Sequence, residues 1–126
     1  MKDLAVDVGC GSGQSTVVLQ PFFKKVFGLD VSSNQIKAAR KLCVPGCEFR
    51  IGSAEDLSEF PDSSVDLVTC CQAAHWLDLE AFYSEADRVL KPQEGLLAIY
   101  GYHLTGLRPE GQPKFAQIEA LRDKVD

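Results

Sequence analysis

Three glycines at alternate positions constrain the fold of this chain most, in the stretch Asp7-Val8-Gly9-Cys10-Gly11-Ser12-Gly13. The apolar run Leu4-Ala5-Val6 before them is typical of a buried strand, and Gln14 to Gln20 after them predicts a short helix that Pro21 ends. Because glycine lacks a Cβ, such a loop can take positive φ values and leave its N–H groups open. These N–H groups and the helix N-terminus favour an electronegative or carboxylate-bearing ligand. A tight turn without a ligand is the alternative, and the residues that follow favour binding.

The spacing of the glycines argues against a nicotinamide dinucleotide. A dinucleotide fingerprint has the pattern G-x-G-x-x-G, whereas Gly13 comes one residue early here. The acidic Asp7 also stands two positions before the first glycine, and the chain lacks a Tyr-x-x-x-Lys hydride site. A nicotinamide dehydrogenase is therefore a disfavoured hypothesis.

A second signal is the acidic residue that ends the predicted strand Lys25–Asp30. In a βαβ unit, an Asp about 20 residues beyond the glycine loop lies at the carboxyl end of the neighbouring strand. There its two oxygens can accept from both hydroxyls of a ribose. The alternative is a turn acid before a helix, since Ser32 and Ser33 follow. The distance from the glycine loop favours ribose binding by Asp30.

The rest of the chain predicts helices and strands in alternation. A Ser32-x-x-Gln35 capping box begins a helix that ends at Pro45-Gly46. Its predicted apolar face consists of Ile36, Ala39, Leu42 and Cys43. A later helix is capped by Asp78, and its stripe consists of Leu79, Phe82, Tyr83, Ala86, Val89 and Leu90. Pro113 suits the start of a final amphipathic helix.

Three further strands are predicted at Cys47–Ile51, Val65–Cys71 and Leu96–Tyr100. Polar and apolar residues alternate in Cys47–Ile51, which indicates an edge strand, whereas the first two strands lack alternation and should be central. Right-handed crossovers then give the strand order 3-2-1-4-5. The expected fold is α/β, a doubly wound Rossmann-like sheet of mostly parallel strands, in a single domain over residues 1–126.

The motif Asp7-x-Gly9-x-Gly11-x-Gly13 resembles the first motif of the class I S-adenosylmethionine-dependent methyltransferases. The resemblance runs from Asp3 to about Tyr102 and includes Asp30, the segment Gly52–Leu57 and the turn from Leu90 to Leu97. It implies S-adenosyl-L-methionine as the cofactor, with the glycine loop under its methionine moiety and the acid before the loop orienting it. The implied cofactor-binding residues are Asp7, Gly9, Gly11, Gly13, Asp30, Ser53, Ala54 and Gln72.

The segment Gly52–Leu57 resembles the part of the family fold that holds adenine. There an acidic side chain usually accepts from the exocyclic amine, and the N–H of the next residue donates to the ring. This chain has Ser53 at the acidic position, and a serine hydroxyl can still accept a hydrogen bond. The neighbouring Glu55 and Asp56 are equally well interpreted as solvated turn acids.

Gln72-Ala73-Ala74-His75-Trp76 follows the fourth predicted strand at the same sheet edge as the glycine loop. His75 and Trp76 could contact the cofactor or the acceptor, although packing as loop anchors is the alternative for both. The run from Ala74 to Asp78, with Tyr100-Gly101-Tyr102, resembles the trans-aconitate methyltransferase group. A carboxylate acceptor is already a nucleophile and needs no base, whereas a hydroxyl or amine would leave His75 as the candidate base. We expect no other catalytic residue and no metal site.

Full members of the family have a helix before the first strand and two more strands at the end of the sheet. The sequence shows neither, so the expectation is a truncated cofactor-binding core that transfers methyl groups poorly alone. Acceptor atoms must be held within about 3–3.5 Å of the methyl group, which the missing parts would help to do. The competing hypothesis is a non-catalytic S-adenosylmethionine-binding core that acts as an interaction module.

Composition restricts the partners. The net charge of −5 argues against general binding to nucleic acid or anionic membranes, and the longest apolar runs have only strand length. The five cysteines contain no C-x-x-C pair and are interpreted as reduced, mostly buried thiols. The expected acceptor is a small molecule, the expected location is the cytoplasm, and the oligomeric state stays open.

Overall fold

The computed structural model describes residues 1–71 and 78–100, which form one sheet of five strands with helices on both faces. The strands are β1 (Lys2–Val8), β2 (Phe23–Asp30), β3 (Cys47–Ile51), β4 (Leu67–Cys71) and β5 (Leu96–Tyr100). The helices are α1 (Gln14–Val17), α2 (Ser33–Arg40) and α3 (Leu79–Val89), and a 3₁₀ turn spans Gln20–Phe22. No helix in these ranges is long and apolar enough to cross a membrane.

The strand order is β3-β2-β1-β4-β5, and all four neighbouring pairs are parallel. This confirms the predicted doubly wound sheet, with β3 at one edge and β1 in the centre. Consecutive connections run outward from β1 to β3 and then cross back to β4. The carboxyl ends of β1 and β4 therefore lie at the point where strand order reverses, which is where ligands of such sheets bind.

The core is divided between the two faces of the sheet. Successive side chains of a strand point to opposite faces, so β1 sends Val6 and Val8 to one face and Ala5 to the other. The buried side of α3 covers the first face with Phe82 and Ala86, as the stripe predicted. On the second face, Ile36 and Ala39 of α2 pack against Cys10 and Phe49.

The first helix is shorter than the predicted Gln14–Gln20. After α1, Leu19 N–H donates to Thr16 and Phe22 N–H to Leu19, so the chain continues in i to i−3 turns. The cause is Pro21, which has no N–H to donate and restricts the residue before it. The next strand, β2, accordingly begins at Phe23 instead of Lys25.

The second helix also ends earlier than predicted, at Arg40. Ile36 and Ala39 are buried as expected, but the placement of Leu42 and Cys43 on the buried face is wrong, because both are exposed. Cys43 has a φ of 51°, which turns the chain out of the helix. Pro45 favours an extended conformation at the residue before it, so the helix cannot continue to Pro45-Gly46.

Both predicted N-caps are confirmed. Ser32 Oγ accepts from Gln35 N at 3.3 Å, and Asp78 Oδ1 accepts from Ala81 N at 3.2 Å. These side chains satisfy one unpaired N–H at the start of α2 and of α3. The two helices therefore begin where the sequence predicts, at the carboxyl edge of the sheet.

At the opposite end of the sheet, the carboxylate of Asp66 joins three segments. Its Oδ2 accepts from the N–H groups of Asp3 at 2.8 Å and Leu4 at 3.0 Å, and its Oδ1 lies 3.0 Å from Lys91 Nζ. Burial alone would raise the pKa of Asp66, but the hydrogen bonds from Leu4, Lys91 and Asp3 outweigh it and hold the pKa below its usual value. The ionised form of Asp66 therefore stabilises the folded state.

We predict that Asp66→Asn lowers the free energy of unfolding at pH 7 by about 1–3 kcal/mol, because it weakens the charge-assisted bonds of a buried carboxylate. The folded pKa lies below the usual 3.8, so this contribution is present above 3.8 and is lost as the pH falls through the folded pKa. Chemical denaturation of both proteins between pH 2 and pH 7 measures it. Glu94→Gln, at an exposed side chain, is the control. A loss in Asp66→Asn that is equal at every pH would contradict the assignment.

Candidate functional site

The glycine loop after β1 is built from left-handed backbone. Gly9, Gly11 and Gly13 have φ values of 65°, 58° and 96°, which side-chain-bearing residues rarely adopt. The N–H of Cys10 donates to Leu29 O at 2.9 Å, which fixes the loop against the end of β2. The sequence pattern therefore does correspond to a turn that favours glycine at all three positions.

The glycines of the loop have different surroundings. A Cβ at Gly13 would lie 3.0 Å from Leu42 and Phe49, so this glycine allows close packing of the loop against β3 and the segment that follows α2. A Cβ at Gly11 would meet no atom of the described residues within 4 Å. Gly11 therefore faces open space on the ligand side of the loop, where a bound molecule has room.

Asp30 lies directly beside this open space. Its Oδ2 accepts from Gly11 N at 2.9 Å, and its Oδ1 accepts from Ser32 N at 2.9 Å. The carboxylate thus links the glycine loop to the start of α2 and is only partly buried. Because a carboxylate has about four acceptor positions, Asp30 can also accept from hydroxyl groups of a ligand.

Asp7 is fully buried and its carboxylate is surrounded by hydroxyl groups. Ser15 and Thr16 donate to Oδ2 at 2.7 Å each, and Thr69 donates to Oδ1 at 2.8 Å. Burial raises the pKa of Asp7, and the three hydroxyls offset part of this rise. The geometry makes Asp7 the link between β1, α1 and β4. The three hydroxyl residues were not predicted from the sequence, although a threonine in an apolar strand was a signal.

The segment after β3 lies on the other side of Asp30. Gly52 N donates to Asp30 O at 3.0 Å, which brings this segment to the end of β2. Ser53 Oγ accepts from Glu55 N at 3.1 Å, and Ala54 is buried. Glu55 is exposed, as expected of a solvated turn acid. The structure therefore brings Ser53 and Ala54 near the strand that carries Asp30.

Two apolar side chains at the carboxyl edge were not identified as site residues from the sequence. Val31, directly after Asp30, is 74% exposed, and Ile51, which pairs with Asp30 across β2 and β3, is 58% exposed. Exposed apolar side chains beside polar groups are typical of surfaces that contact the apolar part of a ligand.

Nucleophilic and metal chemistry find little support among the described residues. Burial, together with Asp7 and Asp30, raises the pKa of the Cys10 thiol to about 12, so it stays protonated at neutral pH. No group of three His, Cys, Asp or Glu side chains within residues 1–71 and 78–100 could hold a metal ion. Two predicted site residues, Gln72 and His75, lie outside the described residues.

Comparison with known proteins agrees with this geometry. The methyltransferase domain family matches residues 6–99. A Dictyostelium discoideum protein named as a methyltransferase is 47% identical over 103 residues, which are 82% of this chain and 38% of that protein. The crystal structure of YcgJ from Bacillus subtilis has a TM-score of 0.70 and 32% identity, covering 76% of this chain and 42% of YcgJ.

A third relative carries a bound cofactor product. Geranyl diphosphate C-methyltransferase of Streptomyces coelicolor A3(2), solved with Mg²⁺, geranyl diphosphate and S-adenosyl-L-homocysteine, has a TM-score of 0.65 and 28% identity. The match covers 71% of this chain and 36% of that enzyme. The chain belongs to the methyltransferase domain family, whose cofactor is S-adenosylmethionine. It spans less than half the length of each of these relatives.

We predict that Thr69→Val lowers the free energy of unfolding by about 1–3 kcal/mol, because it removes one donor from a buried carboxylate. The same substitution in an Asp7→Asn background should cost less, since the charge it supports is gone. Denaturant unfolding of the four proteins of this cycle measures the coupling. Additive effects of the two substitutions would show that Thr69 does not support the Asp7 carboxylate.

Proposed function

We propose that this chain binds S-adenosylmethionine at the carboxyl edge of its sheet and provides the cofactor-binding part of a methyltransferase for a small-molecule acceptor. The observation that carries the proposal is the Asp30 carboxylate bonded to Gly11 N–H beside open space. It combines a hydroxyl acceptor, a backbone donor group and room for a ligand. Family membership of residues 6–99 supports the same function.

Each group in the site has a proposed role in cofactor binding. Gly11 lies under the methionine moiety, and Asp30 accepts from the ribose hydroxyls. Ser53 and the N–H of Ala54 face the polar edge of adenine, while Val31 covers one of its faces. Gly9 and Gly13 maintain the shape of the loop, and Asp7 holds the loop to α1 and β4. Gln72 is a further proposed cofactor-binding residue.

The cofactor supplies an activated methyl group, so the protein has to align the acceptor with it and exclude water. The loop and Asp30 fix the position of the cofactor, which determines the direction in which an acceptor must approach. No basic side chain is required if the acceptor is a carboxylate, since that group is ionised at neutral pH.

We propose a small carboxylic acid as the acceptor, from the resemblance of Ala74-His75-Trp76-Leu77-Asp78 to the trans-aconitate methyltransferase group. His75 would act as the base only for a hydroxyl or amine acceptor. An assay for release of S-adenosylhomocysteine, run with trans-aconitate and a panel of small acids, amines and alcohols, distinguishes these classes of acceptor.

We predict that Gly11→Val abolishes binding of S-adenosylhomocysteine, because its side chain fills the open space over the loop. Calorimetric titration measures the affinity. Valine is strained at a positive φ, so Gly46→Val is the matched control: Gly46 has a φ of 86° and lies at the opposite end of the sheet. The control should bind as wild type does. Unchanged affinity in Gly11→Val would overturn the proposed site.

We predict that Asp30→Ala weakens binding of S-adenosylhomocysteine by about 1–3 kcal/mol, the usual cost of leaving hydroxyls without a charged acceptor. The substitution also removes the bond to Gly11 N, so the contribution of the ribose hydroxyls to the affinity must be measured separately. A 2′,3′-dideoxy analogue of S-adenosylhomocysteine, titrated against both proteins, does so. The analogue should lose much less affinity, and an equal loss would show that Asp30 is not the ribose ligand.

A further inference from the structure

The segment between β3 and β4 is held by side chains of α3. Residues 52–64 form neither a helix nor a strand. Their internal hydrogen bonds are local, as in Asp56 N to Ser53 O at 3.2 Å and Ser58 N to Asp56 Oδ1 at 3.1 Å. Such short-range bonds close turns but do not fix their position relative to the sheet. The position must therefore come from contacts to other elements.

Leu57 and Phe60 pack in the core, and Glu85 and Arg88, three residues apart on α3, provide the side-chain hydrogen bonds that hold the backbone of this segment. Leu57 N donates to Glu85 Oε1 at 2.6 Å, and Leu57 O accepts from Arg88 Nη2 at 2.9 Å. The backbone N–H and C=O of Leu57 are thus bonded to two neighbouring side chains of α3. Arg88 Nη1 also donates to Phe60 O at 3.0 Å and Asp62 Oδ1 at 2.8 Å.

The two side chains also support each other. Arg88 Nε donates to Glu85 Oε2 at 2.8 Å, and this ion pair lowers the pKa of Glu85. Arginine presents its donors in a fixed planar arrangement, so one guanidinium can hold several carbonyls and carboxylates in a defined geometry. We call Glu85 and Arg88, with these bonds, the α3 clamp.

The α3 clamp lies next to the proposed adenine segment. Gly52 is bonded to the end of β2 through Asp30 O, and Leu57 is bonded to α3. Only the four residues 53–56 lie between these two fixed points. A chain this short has little freedom when both of its ends are fixed. The position of Ser53 and Ala54 therefore depends on the place at which the clamp holds Leu57.

We propose that Glu85 and Arg88 are positioning residues that set how the site distinguishes adenine from other bases. This inference rests on the proposed function of Ser53 and Ala54. Neither residue of the clamp contacts the ligand, and both act through the backbone at Leu57. A site of this kind needs a supporting shell that holds its polar groups to within a fraction of an ångström.

The test compares two ligands that differ only at the adenine edge. S-adenosylhomocysteine carries the exocyclic amine, and S-inosylhomocysteine carries an oxygen in its place. Wild type should bind the adenine compound more tightly. Arg88→Met keeps most of the aliphatic stem but removes every donor, and should reduce this preference by about tenfold, as expected for one lost hydrogen bond to the base. Affinity for the inosine compound should change little.

Two further variants separate positioning from stability. Glu85→Gln keeps an acceptor for Leu57 N but loses the ion pair, so it should retain an intermediate preference. Lys91→Met removes a cation from the ion pair with Asp66 and Asp3 at the opposite end of the sheet, and should leave the preference unchanged. All titrations are run at a temperature at which denaturation shows each protein to be folded.

The outcomes are distinguishable. If wild type binds neither compound, the proposed function fails and this inference fails with it. If wild type prefers the adenine compound and Arg88→Met retains the full preference, or loses affinity equally for both compounds, the proposed function stands. The positioning role of the α3 clamp is then overturned.

Discussion

The buried carboxylate of Asp7 is the group on which the arrangement of the glycine loop depends. A carboxylate in the protein interior is costly unless hydrogen bonds compensate it, and here three hydroxyl groups offset part of that cost. Two hydroxyls come from α1 and one from β4, while Asp7 itself belongs to β1. Charge-assisted hydrogen bonds are short and directional. Satisfying this single charge therefore fixes three elements around the loop.

The pKa values of the buried acids shift in opposite directions at the two ends of the sheet. At the carboxyl end the pKa of Asp7 is raised above 3.8, so its contribution to stability declines as the pH rises through the interval between 3.8 and the folded pKa. At the amino end the pKa of Asp66 is lowered, so its contribution grows as the pH rises towards 3.8. The end of the sheet that carries the candidate site thus has an electrostatic cost, and the opposite end offsets it.

Much of the fold could be predicted from the sequence because local and global signals agree. The glycine spacing, the N-caps Ser32 and Asp78 and the apolar stripe of α3 each determine a local structure that the sheet accommodates. The errors arose where the environment or conformation of a residue depends on neighbouring residues and not on its own local pattern. The hydroxyls around Asp7 come from residues that are close only after folding, and Leu42 and Cys43 are exposed because Cys43 takes a left-handed conformation ahead of Pro45.

The candidate site was predicted in part for the same reason. Gly11 and Asp30 could be identified because their spacing along the chain is fixed by one βαβ unit. Val31 could not, since its significance lies in its exposure at the edge and not in a pattern. The α3 clamp could not either, because Leu57 and Glu85 are 28 residues apart and the segment between β3 and β4 has no periodicity to analyse.

The glycine loop and the segment that carries Ser53 are held in different ways, which indicates how the candidate site can change in sequence while the fold stays constant. The loop that carries Gly11 is fixed by the centre of the sheet, so changes there affect folding and binding together. The segment that carries Ser53 is held by side chains from a surface helix, and Arg88 is only partly buried. The bonds of Arg88 run to Glu85, Leu57, Phe60 and Asp62, which lie outside the strands and the glycine loop. Under the proposed role of the α3 clamp, recognition of the base can therefore change through α3 without a change in the strands or in the glycine loop.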